Sequence, residues 1–298
     1  MKAMRIDTFG GPEVLHEAEV DTPEPGPGQV RVRVRAVGVN PFDGKVRSGA
    51  MEAVCTTPLP TILGLEVAGT VDAVGPDVTG FAVGDDVFGW ADSGAYAEYA
   101  LMSRAAIKPA GLAWDAAVAL PVAGETAERV LDLLKVTEGE TLLIHGAAGA
   151  VGTVAAQLAL ARGATVIGTA SAANHEYLSA LGIIPTAYGT GLVERIRALA
   201  PNGVDAVFDV AGKGALPDSI ELRGGTERIV TIADPTARGL GVTFSSGGGT
   251  VDLPGLAKRV VKGALVVAIS GVYPLADVAT AHRVLEAGHA RGKLVLTV

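Results

Sequence analysis

The run Gly146-Ala147-Ala148-Gly149-Ala150-Val151-Gly152 has residue types and spacing suited to holding a diphosphate. It follows the apolar stretch 141–145 and opens the alanine-rich stretch 150–162, so it reads as a turn from strand to helix. Aligned on its last two glycines it is A-x-G-x-x-G, with Ala147 in the first glycine position. Gly149 would let the backbone approach a pyrophosphate, and Gly152 would let the helix pack on the strand. N–H groups at the helix start and the positive end of its dipole make an anion site without any lysine. Glycine alone says little in a chain with 40 glycines among 298 residues; the flanking strand and helix carry the reading.

Dinucleotide sites for NAD place an Asp or Glu about 20 residues further on, where it accepts from the ribose 2′-OH. Here the second strand ends Gly168-Thr169-Ala170-Ser171, followed by Ala172, Ala173, Asn174 and His175. No carboxylate stands there to repel a 2′-phosphate. Ser171 and Asn174 are able to donate to one, as is a suitably protonated His175. The expected cofactor is therefore NADPH, although no Lys or Arg in this stretch adds its charge. Ser171 reads equally as a helix N-cap, and the two roles are compatible.

The elements that must position such a site fall into two textures. Before about residue 109 the chain reads as short strands. Residues 30–39 alternate valine with arginine, and 67–74, 85–89 and 95–100 continue the pattern between Gly and Pro turns. The arginine row reads as a solvated sheet face. Beyond it come helical spacings at 114–122 and 125–134, then strands at 141–145, 164–169, 204–209 and 228–232 alternating with helices. That alternation means a parallel sheet covered on both faces. The end reads as a strand at 265–269, a helix at 275–287 and a strand at 293–298. The expected fold class is α/β, a Rossmann doubly wound parallel sheet beside a barrel-like β domain.

Composition excludes other classes. Hydrophobic residues make up 49% and charged residues 19%, which rules out a disordered chain. The net charge of −8 is opposite to what nucleic-acid binding requires. No stretch reaches about 18 apolar residues, so no membrane span is expected, and residues 1–7 lack the apolar core of a signal peptide. A cytoplasmic location is the expectation. The single cysteine, Cys55, forbids an intrachain disulfide and a multi-cysteine zinc site.

Several separated motifs resemble one family. They are Val39-Asn40-Pro41-Phe42-Asp43, Arg47-Ser48-Gly49, Gly64-Leu65-Glu66-Val67-Ala68-Gly69, Ala119-Leu120-Pro121-Val122-Ala123-Gly124-Glu125-Thr126-Ala127, the 146–152 turn, Phe208-Asp209-Val210-Ala211-Gly212, and the ending 288–296. The chain resembles the zinc-independent, quinone-oxidoreductase-like branch of the medium-chain dehydrogenases/reductases. The resemblance implies a GroES-like substrate domain (1–112), a Rossmann NADP(H) domain (113–262) and a C-terminal segment (263–298) returning to the first, with the active site in the cleft between them. It implies Asn40 and Thr126 near the nicotinamide, Gly149, Ala150 and Val151 at the pyrophosphate, and Ser171 and Tyr188 towards the adenosine phosphate. Ala211, Gly212, Ala233, Phe244 and Ser245 would fall near the nicotinamide ribose or ring. A homodimer is the family expectation.

Two departures bear on mechanism. Zinc members need a catalytic Cys and a later Gly-His-Glu; here the positions are Asn40 and Leu65, and leucine has no lone pair for a metal, so no metal site is expected. Many quinone oxidoreductases carry Tyr five residues after the Asn; Lys45 stands there, which looks more like plant-type alkenal and enone reductases. Lys45 would bind a substrate carbonyl or ribose hydroxyls or deliver a proton, against the reading of a solvated lysine. Asp43 would pair with Lys45 or line the pocket. Glu66 reads as a structural hydrogen-bonding carboxylate. His145 reads as packing or bonding locally, and His282 and His289 read as surface residues.

The expected activity is NADPH-dependent hydride transfer to a quinone or α,β-unsaturated carbonyl without a metal, catalysed with Asn40 and Lys45. The other classes are an NADPH-binding sensor without turnover and a dedicated enone reductase of specialised metabolism. Hydrolase and metalloprotease signatures are absent.

Overall fold

The computed structural model describes residues 1–288 and 290–298; His289 lies outside the described residues. Contacts divide the chain into two compact units, 1–122 with 252–298 and 123–251.

The first unit opens with β1 (Lys2–Ile6), β2 (His16–Glu19), β3 (Val30–Val39), α1 (Pro41–Arg47), β4 (Thr61–Ile62), β5 (Glu66–Val74), β6 (Asp86–Trp90), β7 (Tyr99–Met102), β8 (Arg104–Ile107) and α2 (Trp114–Val118). β3 organises it. Its valines at 30, 32 and 34 are buried, while Arg33 and Arg35 face solvent. Arg31 is held by Asp72 and Glu24, so the arginine row is a polar sheet face. One edge of β3 pairs with β5; the other is shared, residues 30–33 pairing with β7 and 36–39 with the last strand of the chain. β2, β1 and β4 form a smaller sheet. Around β3 the strands run antiparallel, the arrangement expected of a GroES-like domain.

The second unit contains most of α3 (Pro121–Leu133), then β9 (Thr141–His145), α4 (Ala150–Ala161), β10 (Thr165–Thr169), α5 (His175–Ala180), β11 (Ile184–Thr186), α6 (Leu192–Leu199), β12 (Ala206–Asp209), α7 (Leu216–Arg223), β13 (Ile229–Thr231), α8 (Ala237–Leu240) and β14 (Thr243–Phe244). All six strands pair in parallel, in the order β11-β10-β9-β12-β13-β14. Numbered within the unit that is 3-2-1-4-5-6, the doubly wound order of dinucleotide-binding sheets, whose switch point lies between β9 and β12.

The chain then returns through α9 (Leu253–Val261), β15 (Ile269–Pro274), α10 (Val278–Glu286) and β16 (Lys293–Thr297), with β16 antiparallel to β3. The chain passes from one unit to the other at 122/123 and 251/252, whereas the sequence expectation placed the boundaries at 112 and 262. α2 packs on β3 and β5, and α9 packs on β8, which draws both into the first unit. The strand expected at 265–269 is displaced to Ile269–Pro274; a β-bulge between Ile269 and Gly271 keeps the strand running through a glycine that reads as a break. No helix among the described residues is long and apolar enough to cross a membrane.

Candidate active site

In the second unit, β9 delivers the chain to Gly146 at φ 79°, a left-handed conformation natural to glycine. The two other glycines of the turn differ in what they serve. A Cβ on Gly152 would lie 2.8 Å from the Cα of Ala147 and closer still to the Gly146 carbonyl oxygen, so Gly152 is required by the packing of α4 on the turn. A Cβ on Gly149 would meet nothing nearer than the Gly146 oxygen at 3.5 Å. The protein itself would accept a side chain there, and the space is left over the N-terminus of α4. The first bond from this end runs from the Thr153 N–H to the Gly149 carbonyl at 2.9 Å, so the N–H groups of Ala150, Val151 and Gly152 precede it and lack intrahelical acceptors. Ala148 is buried beside them, and no acidic residue occupies the first turn. Ala147, in the first glycine position, is accommodated from across the sheet: a Cβ on Gly168 would stand 2.6 Å from its methyl group.

Thr169 and Thr186 pair at the ends of β10 and β11, and Ala170 N–H donates to the Thr186 carbonyl at 3.0 Å. Ser171 and the loop of Tyr188 therefore leave the sheet side by side. Ser171 precedes a short 3₁₀ turn without capping it through its side chain; its Oγ accepts from Asn174 Nδ2 at 3.1 Å, which leaves the hydroxyl hydrogen free to donate elsewhere. His175 Nε2 lies 3.2 Å from the Ala170 carbonyl, and Tyr188 is 63% exposed.

Across the switch point, Asp209 Oδ1 accepts from the N–H groups of Ala211 and Gly212, and its Oδ2 accepts from Thr231 Oγ1 at 2.8 Å. Thr231 Oγ1 in turn accepts from Ala233 and Asp234 N–H. Gly212, at φ 59°, lies so close to Ala233 that a Cβ would sit 2.7 Å from its methyl group. Ser245 follows β14 and donates its N–H to the Thr231 carbonyl at 2.9 Å. Asp209 and Thr231 thus bring Ala211, Gly212, Ala233 and Ser245 together. Phe244, on the edge strand β14, is 45% exposed. Thr126 is buried on α3 and donates to Glu125, whose carboxylate also accepts from Arg129 and from Gly249 N–H. Burial alone would push the Glu125 carboxyl up; these donors prevail and hold it below the usual range. Arg129 also donates to Ser245 Oγ, so α3 pins the 245–249 loop.

His145, at the end of β9, is buried and bonded to Thr169 Oγ1 and Ser219 Oγ. Burial lowers its pKa to about 4 against the opposing charge of Asp209, so it is neutral at pH 7.

The first unit holds a separate buried polar cluster. Asn40 caps α1, and its side chain is fixed at both ends: Oδ1 accepts from Lys293 Nζ at 2.7 Å and Nδ2 donates to Glu66 Oε1 at 3.0 Å. Lys293 pairs with that same Glu66 oxygen, while Oε2 accepts from Val122 N–H at 2.9 Å. Gly38 on β3 leaves room for Glu66, since a Cβ there would stand 2.7 Å from Cδ. Lys293 lies within the 288–296 ending, yet lysine is so commonly solvated that its type alone does not announce a buried partner.

Asp43 does not pair with Lys45. Its Oδ2 accepts from Asn40 N–H at 2.8 Å and Tyr96 Oη at 3.0 Å, and burial raises its pKa to about 7. Lys45 is exposed on the opposite side of α1. His282 is buried, not on the surface as its sequence reading had it: α10 packs against α1, and the stripe Val278, Ala281, His282 faces inward. Arg47 has only donors, so at 2.9 Å it fixes His282 Nδ1 as acceptor. Nε2 then donates to Tyr96 Oη at 3.0 Å, and Arg47 also pairs with Glu286. Burial and the Arg47 charge lower the His282 pKa to about 4.

Residues 26–111 match the family described as "Alcohol dehydrogenase GroES-like domain", and residues 178–296 match "Zinc-binding dehydrogenase". Over 99% of its length the chain is 31% identical to the mouse protein named quinone oxidoreductase, covering 97% of that protein. The chain belongs to the quinone-oxidoreductase-like family of medium-chain dehydrogenases/reductases. It is also 32% identical to the Arabidopsis thaliana protein named NADPH-dependent alkenal/one oxidoreductase, over 99% of this chain and 79% of that one. The quinone oxidoreductase structure from Coxiella burnetii superposes with a TM-score of 0.85 at 34% identity, covering 100% of this chain and 99% of the other.

The word zinc in the second family description does not fit this chain's donor set. Among the described residues no three His, Cys, Asp or Glu side chains converge. The cation that Asn40 and Glu66 hold is the Lys293 ammonium.

Proposed function

We propose that this quinone-oxidoreductase-like protein is an NADPH-dependent reductase of quinones or α,β-unsaturated carbonyls that works without a metal. The observation that carries the reading is the unfilled space at Gly149 over the α4 N-terminus, on a sheet of 3-2-1-4-5-6 order. The relatives' names, one a quinone oxidoreductase and one NADPH-dependent towards alkenals and enones, agree with it.

The turn of Gly146, Ala148, Gly149, Ala150, Val151 and Gly152 would hold the diphosphate, its N–H groups neutralising charge without a lysine. Ser171, Asn174, His175 and Tyr188 would take the adenosine 2′-phosphate. Ala211, Gly212, Ala233, Phe244 and Ser245, with Thr126 and Asn40, would receive the nicotinamide end. Bound NADPH supplies a hydride to an electron-poor carbon. Lys45 would present an N–H donor to the carbonyl oxygen and give it a proton, which solvent reaching the exposed ammonium would replace. Asn40 orients through one remaining Nδ2 hydrogen, because Lys293 and Glu66 hold the rest of its amide. The protein acts in this reading as a homodimer in the cytoplasm.

A panel of quinones and enones with NADPH and NADH tests this directly. Consumption of NADPH with an enone or quinone is expected, and Ser171→Asp should shift the ratio of catalytic efficiencies towards NADH by like-charge repulsion. A silent panel despite tight NADPH binding would sink the enzyme reading, and an unchanged ratio would sink the 2′-phosphate assignment.

A further inference from the structure

Ser171, Asn174, His175 and Tyr188 would surround a 2′-phosphate without a permanent positive charge among them. Such an anion is poorly served by neutral donors alone. The loop of Tyr188 is nevertheless built around a cation. Arg195, in the first turn of α6, donates through Nη1 to the Thr190 carbonyl at 2.7 Å. Its Nη2 faces the carbonyls of Ala187 at 3.0 Å, Gly189 at 3.3 Å and Tyr188 at 3.5 Å. Among the described residues no carboxylate pairs with it, and its buried Nε has no acceptor. A guanidinium satisfied by carbonyl dipoles keeps its full charge, because dipoles solvate it without cancelling it.

We infer that Arg195 is a positioning and specificity-determining residue: it moulds the Tyr188 loop and supplies the charge that favours a 2′-phosphorylated nucleotide. The inference rests on the NADPH reading above. Its distance argument comes from the sheet. Ser171 and Ala187 follow paired strand ends, neighbouring parallel strands lie about 4.8 Å apart, and one hydrogen bond joins Ala187 to the guanidinium. The charge therefore stands within about one Debye length of Ser171, where it is incompletely screened. Glu176 and Glu194, the acidic residues of the flanking helices' first turns, are both exposed and more strongly screened by water. Gly189 and Gly191 adopt left-handed φ of 84° and 74°, which lets the loop turn its carbonyls onto one side chain.

The test is titration of the full chain with NADPH, NADH, 2′,5′-ADP and 5′-AMP, for wild type, Arg195→Met and Arg195→Lys. Arg195→Met should weaken NADPH and 2′,5′-ADP about tenfold while NADH and 5′-AMP change less than twofold. Arg195→Lys keeps the charge without the planar fork and should recover part of the loss. In wild type the NADPH-over-NADH advantage should shrink with added salt, and in Arg195→Met that salt dependence should be weaker. Equal weakening of all four ligands would reduce Arg195 to a loop scaffold and overturn the specificity claim, as would no weakening at all. A wild type that binds NADH as tightly as NADPH would instead sink the cofactor reading, and this inference with it.

Discussion

Gly149 and Gly152 are three residues apart and chemically identical, yet replacing them should have opposite consequences. Gly149→Leu is expected to retain the folded state, with a melting temperature within a few degrees of wild type, while abolishing nucleotide binding in a fluorescence titration. Gly152→Ala pushes a methyl group into the Gly146–Ala147 backbone and should cost about 1–3 kcal/mol in denaturant unfolding. If Gly149→Leu unfolds the protein, the space above it belongs to the fold rather than to a ligand. At the same scale the buried titrating groups oppose one another. His282 and His145 have folded pKa values below their unfolded ones, so their contribution is present above about pH 6.5 and is lost as pH falls towards 4. Asp43 has a folded pKa above its unfolded one, so its contribution is present at low pH and lost as pH rises from about 4 to 7. Asp43→Asn removes that opposing slope. Stability measured from pH 4 to 6.5 should therefore rise more steeply with pH in the variant, by up to about 1.4 kcal/mol per pH unit. An unchanged slope would show that Asp43 is ionised throughout that range.

At the scale of elements, β16 contributes more than the closure of a sheet edge. It carries Lys293 into a buried site where, among the described residues, Glu66 and Asn40 meet no other cation, and so links the last strand to the cap of α1. Removing one member of a buried pair leaves the other charged and unpaired, at a cost of about 3–5 kcal/mol. Lys293→Met should destabilise the protein by that order in urea unfolding, while Lys293→Met combined with Glu66→Gln should recover much of the loss. If Asn40 orients the reacting end, the stabilised double variant should still show reduced kcat, with nucleotide Kd less affected; full activity would show that orienting Asn40 does not matter for turnover. The same kind of linkage explains why His282 reads as a surface residue in the sequence and is buried in the fold. Its neighbours Val278 and Ala281 mark an inward stripe on α10, but only the packing of α10 on α1 reveals that Arg47 and Tyr96 wait there to satisfy the ring.

Over the whole molecule, one unit interrupts the other in sequence. Near the ends of the interrupting unit, Glu125 accepts from Gly249 N–H at 2.6 Å and Arg129 donates to Ser245, so its entry and exit are tied together. A chain of residues 123–251 should consequently fold alone and bind NADPH, seen as cooperative melting raised by the nucleotide. By contrast, a chain ending at 251 lacks β16, strips Leu294 and Leu296 from the first unit's core and leaves Glu66 without Lys293. Its second unit should melt cooperatively while its first remains open to proteolysis. A protected first unit would contradict the role given to the returning segment.

The glycine turn, the βαβ alternation and the valine–arginine strand were legible because they are local: period and turn chemistry depend on neighbours along the chain. The strand at 269–274 was not, because a bulge is decided by the partner strand, β16, rather than by the residues that form it. Lys293, Arg195 and His282 were illegible for a deeper reason. A charged or titratable side chain reads as solvated until its partner is known, and those partners are 253 residues away for Lys293 and Asn40, 235 for Arg47 and His282, and backbone carbonyls for Arg195. What the amino-acid order alone determined was the kind of fold and the place of the anion-binding turn, since both follow from short-range sterics and hydrogen bonding. Which charges are buried, and which side chain each of them holds still, was decided only when distant segments closed on one another and removed the water that would otherwise have solvated them.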